Sequence, residues 1–317
     1  MRLESARAVK AELTAHAASL RADAPTPTGL RGTVAVGICV LGSATFGVAV
    51  RYTGESGLSR AVAARGRALA GDECDVRDVG VVRSFQWEPG ELQGRVRPLR
   101  PGLSVAHVAV TAGTIGAFVT SADDAVLVLS NNHVLADSDR GSPGDVVVQP
   151  GPADGGDGSA DRVGVLDVAA ALRQDGANLV DAAAARLDAD VAVEAAHPAG
   201  LLVGWAEVDD DRAVEKVGRT TGVTRGRISA IELDGLRVQY PLGSFSFDDQ
   251  IEVTGDGPGP FSAGGDSGSV VYRPDALEAV GLLFAGSERG GPGGVGLTYC
   301  NPFGAVLDQL GVRLVSP

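Results

Sequence analysis

The sequence predicts a mainly β protein, a closed or sandwiched antiparallel fold preceded by an N-terminal helix and a small α+β unit. Two observations carry this. From about Val105 onward, short apolar runs recur between Gly, Asp and Ser turns. Glycine accounts for 45 of the 317 residues, with 16 prolines, and most apolar residues are small, which favours turns and short strands over long helices. The length suits one large or two modest domains, with volume for a real core.

In chain order, Leu3, Ala6, Val9, Leu13, Ala17 and Leu20 recur at helical spacing among charged residues, predicting an amphipathic helix within residues 1–24, stopped by Pro25 and Pro27. Its stripe is small and mostly alanine, which fits docking on its own domain or on a neighbouring subunit better than membrane adsorption. Residues 30–100 read as the α+β unit. Phe46–Tyr52 is a strand, Ser59 to Ala70 is a short helix capped by Ser59 or an adjacent residue, and Val79–Val82 adds an apolar stretch. The polar, proline-containing Glu88–Leu103 stretch marks a boundary, and the main domain runs from 104 to 317. Its expected strands are Gly116–Thr120, Ala125–Ser130, Asp145–Val148, Gly226–Leu233, Leu236–Tyr240, Gln250–Val253, Ser269–Tyr272 and Ala279–Phe284. Pro150–Ala160, Gly255–Pro260 and Gly286–Gly296 read as loops, the last two beside a cleft.

The 40 Asp and Glu against 27 Lys and Arg give a formal charge of −13, so nucleic acid and anionic membranes are repelled at long range. Three widely spaced cysteines, Cys39, Cys74 and Cys300, point weakly to a reducing compartment, and the first twenty residues lack a secretory or membrane-spanning pattern. Together these predict a cytoplasmic location. No HExxH, Cys-x-x-Cys or cysteine quartet occurs, so no metal or other cofactor is expected. Gly218-Arg219-Thr220-Thr221-Gly222 lacks the Lys-Ser/Thr ending of a phosphate loop and reads as a strand-linked turn.

Chemistry concentrates in Gly264-Gly265-Asp266-Ser267-Gly268-Ser269-Val270, a glycine-flanked turn that presents a serine ahead of an apolar strand. A serine hydroxyl needs a base, and the base needs an orienting acid. Among His16, His107, His133 and His197, only His133 stands at a strand end, in Ser130-Asn131-Asn132-His133. A histidine with an ordinary pKa near 6.5 can take a proton and return it. Asp181 lies in an apolar stretch, where a carboxylate is costly unless partnered, and Asp190 is the fallback. The amides of Gly265 and Ser267 are candidates to receive an oxyanion.

Gly265-Asp266-Ser267-Gly268-Ser269 resembles the nucleophile turn of chymotrypsin-like serine proteases, and the order His133, Asp181, Ser267 is the order that family uses on two β-barrels. A narrower similarity joins Thr111–Gly116, Leu129–Ala136, Gln149–Gly156, Val180–Ala183 and Lys216–Gly222 to bacterial trypsin-like proteins related to the plant NARROW LEAF 1 proteins. It covers roughly residues 100–305, favours Asp181 over Asp190, and implies a cytosolic, cofactor-free peptidase-like fold, with a homo-oligomer as a candidate assembly. The resemblance maps the floor of the primary pocket to Phe261 and the substrate-binding strand to Phe284-Ala285-Gly286, implying an apolar P1 residue and disfavouring Lys or Arg. Ser269 replaces a glycine of the family pattern, no cysteine pair brackets Ser267, and no Ile-Val-Gly-Gly terminus exists to supply an amine to Asp266. Another donor, such as a backbone amide, must hold that turn. The expected function is a serine endopeptidase acting on peptide or protein substrates; the competing readings are a protease-fold scaffold and a general esterase.

Overall fold

The computed structural model describes residues 1–22, 32–42, 44–82, 90–257 and 259–317. Pro25 and Pro27, the start of the Glu88–Leu103 boundary, and Pro258 of the Gly255–Pro260 loop lie outside the described residues. The architecture is a mainly β double barrel preceded by an N-terminal helix and a small α+β region.

Helix α1 (Leu3–Ala22) buries Ala6, Leu13 and Ala17, three members of the predicted stripe. It packs with α2 (Gly57–Ala70) on a hairpin of β1 (Val34–Gly42) and β2 (Thr45–Tyr52), around Val34, Val36, Val48, Val50 and Val62. The helix thus docks on its own chain. The cap of α2 is Ser56, three residues ahead of the expected Ser59 or its neighbours, and Ser59 is its reciprocal partner: each hydroxyl accepts from the other's amide, at 3.0 Å and 2.7 Å. Strand β3 (Cys74–Asp78) runs parallel to β2.

The first barrel is a half-barrel made of β4 (Ser104–His107), β5 (Gly113–Thr114), β6 (Ala117–Thr120), β7 (Val126–Ser130), β8 (Val146–Val148), β9 (Arg162–Ala169) and β11 (Ala183–Leu187), with short helix α3 (Asn132–Leu135) after β7. Its core includes Phe118, Val128, Val147 and Val163. Leu99 and Leu103 are fully buried in that core, so the expected boundary stretch is already packed by Leu99. Strand β10 (Ala177–Asn178) leaves this barrel to pair elsewhere, and β12 (Gly204–Trp205) begins the crossing to the second.

The second barrel closes. Strands β13 (Ala213–Gly218), β14 (Gly222–Asp234), β17 (Gln250–Gly255), β18 (Val270–Arg273), β19 (Glu278–Gly290) and β20 (Gly296–Pro302) pair in the order β13-β18-β19-β20-β17-β14, and β14 returns to β13. The stretch 286–296, expected as a loop, is mostly the β19–β20 hairpin, because Gly286 pairs with Thr298 and Gly290 with Gly296. A separate hairpin, β15 (Leu236–Tyr240) and β16 (Gly243–Phe247), stands beside the barrel, and β16 pairs with β10. Helix α4 (Phe303–Leu310) then packs between the barrels with Leu129, Val270 and Leu282, and β21 (Arg313–Leu314) ends on β6.

The α+β region continues the second barrel's sheet: the far half of β14 pairs with β1, carrying β2 and β3 beyond it. An ion pair locks this seam. The fully buried Arg51 guanidinium donates to both Glu252 oxygens at 2.8 and 2.9 Å and to Asp75 at 2.8 Å. Glu252→Gln removes the fully buried countercharge and leaves Arg51 only the partly exposed Asp75, so the loss falls below the roughly 3–5 kcal/mol of a fully stranded buried charge. The expected result is a lower urea midpoint with an unchanged slope; an unchanged midpoint would show the pair to be dispensable.

Candidate active site

Strand β7 ends at the junction of the barrels, and α3 turns the chain so that His133 presents its ring there. Two asparagines fix that turn. Asn131 Nδ2 donates to the Asp181 carbonyl at 2.7 Å, and Asn132 Nδ2 donates to Asp139 at 2.6 Å and to the Ala170 carbonyl at 2.8 Å. Asp181, just ahead of β11, is fully buried. Its Oδ2 accepts His133 Nδ1–H at 2.5 Å and its Oδ1 accepts the His133 amide at 3.1 Å. A carboxylate only accepts, so Nδ1 carries the proton and Nε2 is left as the basic nitrogen.

The β15–β16 hairpin and the second barrel support the acid from behind. Tyr240 donates its hydroxyl to Asp181 Oδ2 at 2.6 Å, and Asn301 Oδ1 accepts the Asp181 amide at 3.0 Å. Full burial pushes the Asp181 carboxyl up, yet the His133 charge, the His133 hydrogen bonds and the Tyr240 hydroxyl together hold it below the usual carboxylate range. Burial first, then Asp181, raises the Tyr240 phenol well above its ordinary value, so it stays a donor.

Ser267 sits at the same junction, held from the first barrel. The Thr114 amide donates to the Ser267 carbonyl at 2.8 Å, the Thr114 hydroxyl donates to the Gly265 carbonyl at 2.7 Å, and the Ser130 hydroxyl donates to the Thr114 carbonyl at 2.7 Å. Close approach explains two glycines of the turn. Gly265 and Gly268 have φ of +91° and +97°, and a Cβ would lie 2.4 Å from the Arg219 guanidinium at the first and 2.0 Å from Ser130 Oγ at the second. Ser267 Oγ bonds the Phe284 carbonyl at 3.5 Å; among the described residues no hydrogen bond joins it to His133. The Gly265 and Ser267 amides, the predicted oxyanion donors, have no protein acceptor among the described residues, whereas the intervening Asp266 amide donates to Ala263.

Several donors hold Asp266, backbone amides among them. Its buried carboxylate accepts from the amides of Thr220 at 2.8 Å, Thr221 at 3.1 Å and Ala263 at 2.9 Å, and from the Thr221 hydroxyl at 2.7 Å. The fully buried Lys216 ammonium lies 3.5 Å away. Burial lowers the Lys216 pKa, with Asp266 pulling it the other way. Beside it, Arg219 pairs with Asp154, both side chains about 1% exposed, and donates its amide to the Thr114 hydroxyl at 3.0 Å. The 150–160 segment is therefore not a plain solvent loop, because Asp154 anchors the turn between β13 and β14.

The remaining predicted residues divide clearly. Asp190 is exposed, with no ion pair among the described residues. Phe261, Phe284 and Ala285 are all buried, Phe261 in the barrel interior below Lys216 and Phe284 against Phe247, with ring centroids 4.7 Å apart. Gly286 is buried in β19. His197 is buried against Tyr272, bonds the Gly116 carbonyl at 3.1 Å, and is pushed down to about 4 by burial, so it is neutral and structural. Sequence reasoning missed Tyr240, Asn301 and Lys216 as parts of the site. Among the described residues no group of His, Cys, Asp and Glu is placed to hold a metal, and no helix is long and apolar enough to cross a membrane.

No family model and no curated protein matches the sequence. Among solved structures, the chain is similar to Thermobifida fusca protease A, with 20% identity, 69% of this chain and 100% of that one covered, and a TM-score of 0.48. It is similar to Nocardiopsis protease at 20% identity, 69% and 100% coverage and a TM-score of 0.49. A third is Cellulomonas bogoriensis chymotrypsin, at 20% identity, 69% and 100% coverage and a TM-score of 0.46.

Proposed function

We propose that the chain is a serine endopeptidase that hydrolyses peptide bonds through Ser267, His133 and Asp181 and an acyl-enzyme. The observation that carries this reading is the fully buried Asp181 carboxylate bonded to Nδ1 of a histidine whose side chain is 12% exposed, at the junction where the Ser267 turn is held from both barrels. The other fully buried carboxylates described above, Glu252 and Asp266, lie beside the Arg51 and Lys216 cations, whereas Asp181 is bonded to an imidazole that reaches solvent and can gain and lose a proton.

In this mechanism the Ser267 hydroxyl leaves the Phe284 carbonyl by a change of rotamer and gives its proton to His133 Nε2 as it attacks the substrate carbonyl. Asp181 holds the tautomer and stabilises the imidazolium. The Gly265 and Ser267 amides receive the oxyanion, His133 protonates the leaving amine, and water repeats the sequence on the acyl-enzyme.

The expected P1 residue is apolar. Phe261 offers no charge to a Lys or Arg side chain, and the nearby acid, Asp266, is already committed to the Thr220, Thr221 and Ala263 donors and Lys216. The net charge of −13 disfavours nucleic acid as a partner. Three free thiols, two of them buried, accord with a cytoplasmic setting. Kinship to bacterial relatives of the NARROW LEAF 1 proteins rests on the quoted sequence runs.

A fluorophosphonate probe followed by intact-mass measurement and peptide mapping tests the reading. One adduct per chain, on Ser267, is expected. A folded chain that takes up no probe, or takes it up elsewhere, overturns it.

A further inference from the structure

The hairpin of β15 and β16 touches Asp181 and His133 directly and reaches Ser267 through Phe284. Tyr240, at the end of β15, bonds the same Asp181 oxygen that accepts His133 Nδ1–H, at 2.6 Å against 2.5 Å. Its ring meets the His133 ring edge-on, with centroids 5.6 Å apart and planes at 69°. Phe245 packs edge-on against Tyr240 at 5.3 Å, and Phe247 packs on Phe284, whose carbonyl holds Ser267 Oγ. Strand β16 pairs with β10 shortly before Asp181, and Asn178 Nδ2 donates to the Ser246 carbonyl at 3.0 Å. The hairpin and the acid-bearing segment are therefore one hydrogen-bonded unit, and the phenol is fixed in place.

Resting on the serine-hydrolase reading above, we propose that Tyr240 is a positioning residue that tunes the basicity of the His133–Asp181 pair through its hydrogen bond to Asp181 Oδ2. Two donors on one carboxylate oxygen share its charge. Removing the phenol leaves Asp181 a stronger acceptor for Nδ1–H, which stabilises the imidazolium and removes the free base at a higher pH than in the wild type. The phenol thus limits the charge that Asp181 offers to the imidazolium, and the ring restricts the tilt of the imidazole. Among the described residues, Asp181 and Tyr240 are the titratable groups bonded to or packed on the His133 ring. Of the acids following α3, Asp137 pairs with Arg140, and Asp139 accepts from Asn132 and from the Leu172 amide.

Tyr240→Phe keeps the ring and deletes the donor. The acidic limb of kcat/KM against pH should move upward by about half to one unit, so that activity falls about 3- to 10-fold at pH 6 and less than about 2-fold at pH 9. A limb that stays in place, whether activity is unchanged or falls equally at every pH, overturns the proposal, since a merely structural role predicts a uniform loss. Difluorotyrosine placed at position 240 has the same shape and is a stronger donor; it should move the limb downward, and an upward or absent shift also overturns the proposal. NMR titration of the His133 imidazole, assigned against His133→Ala, reads the coupling without turnover. A wild-type chain that never reacts with fluorophosphonate defeats the hydrolase reading, whereas a reactive wild type with identical His133 titrations in wild type and Tyr240→Phe defeats the Tyr240 proposal alone.

Discussion

Asp181→Asn should lower kcat about 10⁴-fold while the chain still folds, because the carboxamide reverses the tautomer of His133. Three donors converge on Asp181: the His133 amide, His133 Nδ1–H and the Tyr240 hydroxyl. Asparagine offers one acceptor oxygen in place of two and adds two N–H groups. Whichever way it turns, at least one donor loses its partner. If the new amide faces Nδ1, the proton moves to Nε2 and the base disappears. A buried donor without a partner costs about 1–3 kcal/mol, so stability falls as well.

The loss of stability has a pH signature. Asp181 is held below the usual carboxylate range in the folded chain, so its ionised form contributes stability above the unfolded value near pH 4. That contribution disappears as pH falls through the folded value. The asparagine variant lacks this component, so its urea midpoint should change less than the wild type's on acidification. Active-site titration measures the rate: acylation within tenfold of wild type would remove Asp181 from the mechanism.

What the sequence makes legible is local. The Asp-Ser pair between glycines announces its turn because Gly265 and Gly268 are needed where the backbone is left-handed and crowded. His133 is legible because β7 is a clear apolar run that ends three residues before it. The β strands follow for the same reason, since a short apolar run between turn residues has few other solutions. Register across the chain is not legible. Nothing in Val34–Gly42 says that it pairs with the far half of β14, so the α+β region reads as a separate unit although it continues the barrel's sheet. Tyr240 closes a short strand and carries no motif; its role exists only because β16 is drawn to β10 beside Asp181. Asp154 reads as solvent loop because its partner, Arg219, is 65 residues away. Lys216 reads as an ordinary strand lysine until the fold removes it from water.

That removal makes Lys216→Met the second large effect. The substitution keeps an unbranched apolar stem and deletes the charge, leaving the fully buried Asp266 carboxylate with amides and one hydroxyl but no cation. Breaking a buried pair from one side costs about 3–5 kcal/mol, more than the pair itself contributes, because the remaining charge stays desolvated. The chain relieves this by moving Asp266 toward water. Asp266 lies between Gly265 and Ser267, so any such movement carries both proposed oxyanion donors away from the site, at a cost of about 10²–10³ in acylation rate. Stopped-flow acylation and urea unfolding read the two consequences separately, and a wild-type acylation rate in Lys216→Met would show that the cation does not hold the turn. The double variant Lys216→Met/Asp266→Asn distinguishes charge from shape. With the stranded carboxylate neutralised, stability should rise above that of Lys216→Met, while activity stays low because the asparagine oxygen cannot satisfy the donors of Thr220, Thr221 and Ala263 at once. Burial also gives the clamp an alkaline limit. Lys216 sits below the ordinary lysine range, so rising pH neutralises it before a surface lysine, and wild-type activity should decline on that side where the activity of Lys216→Met, already low, shows no such step.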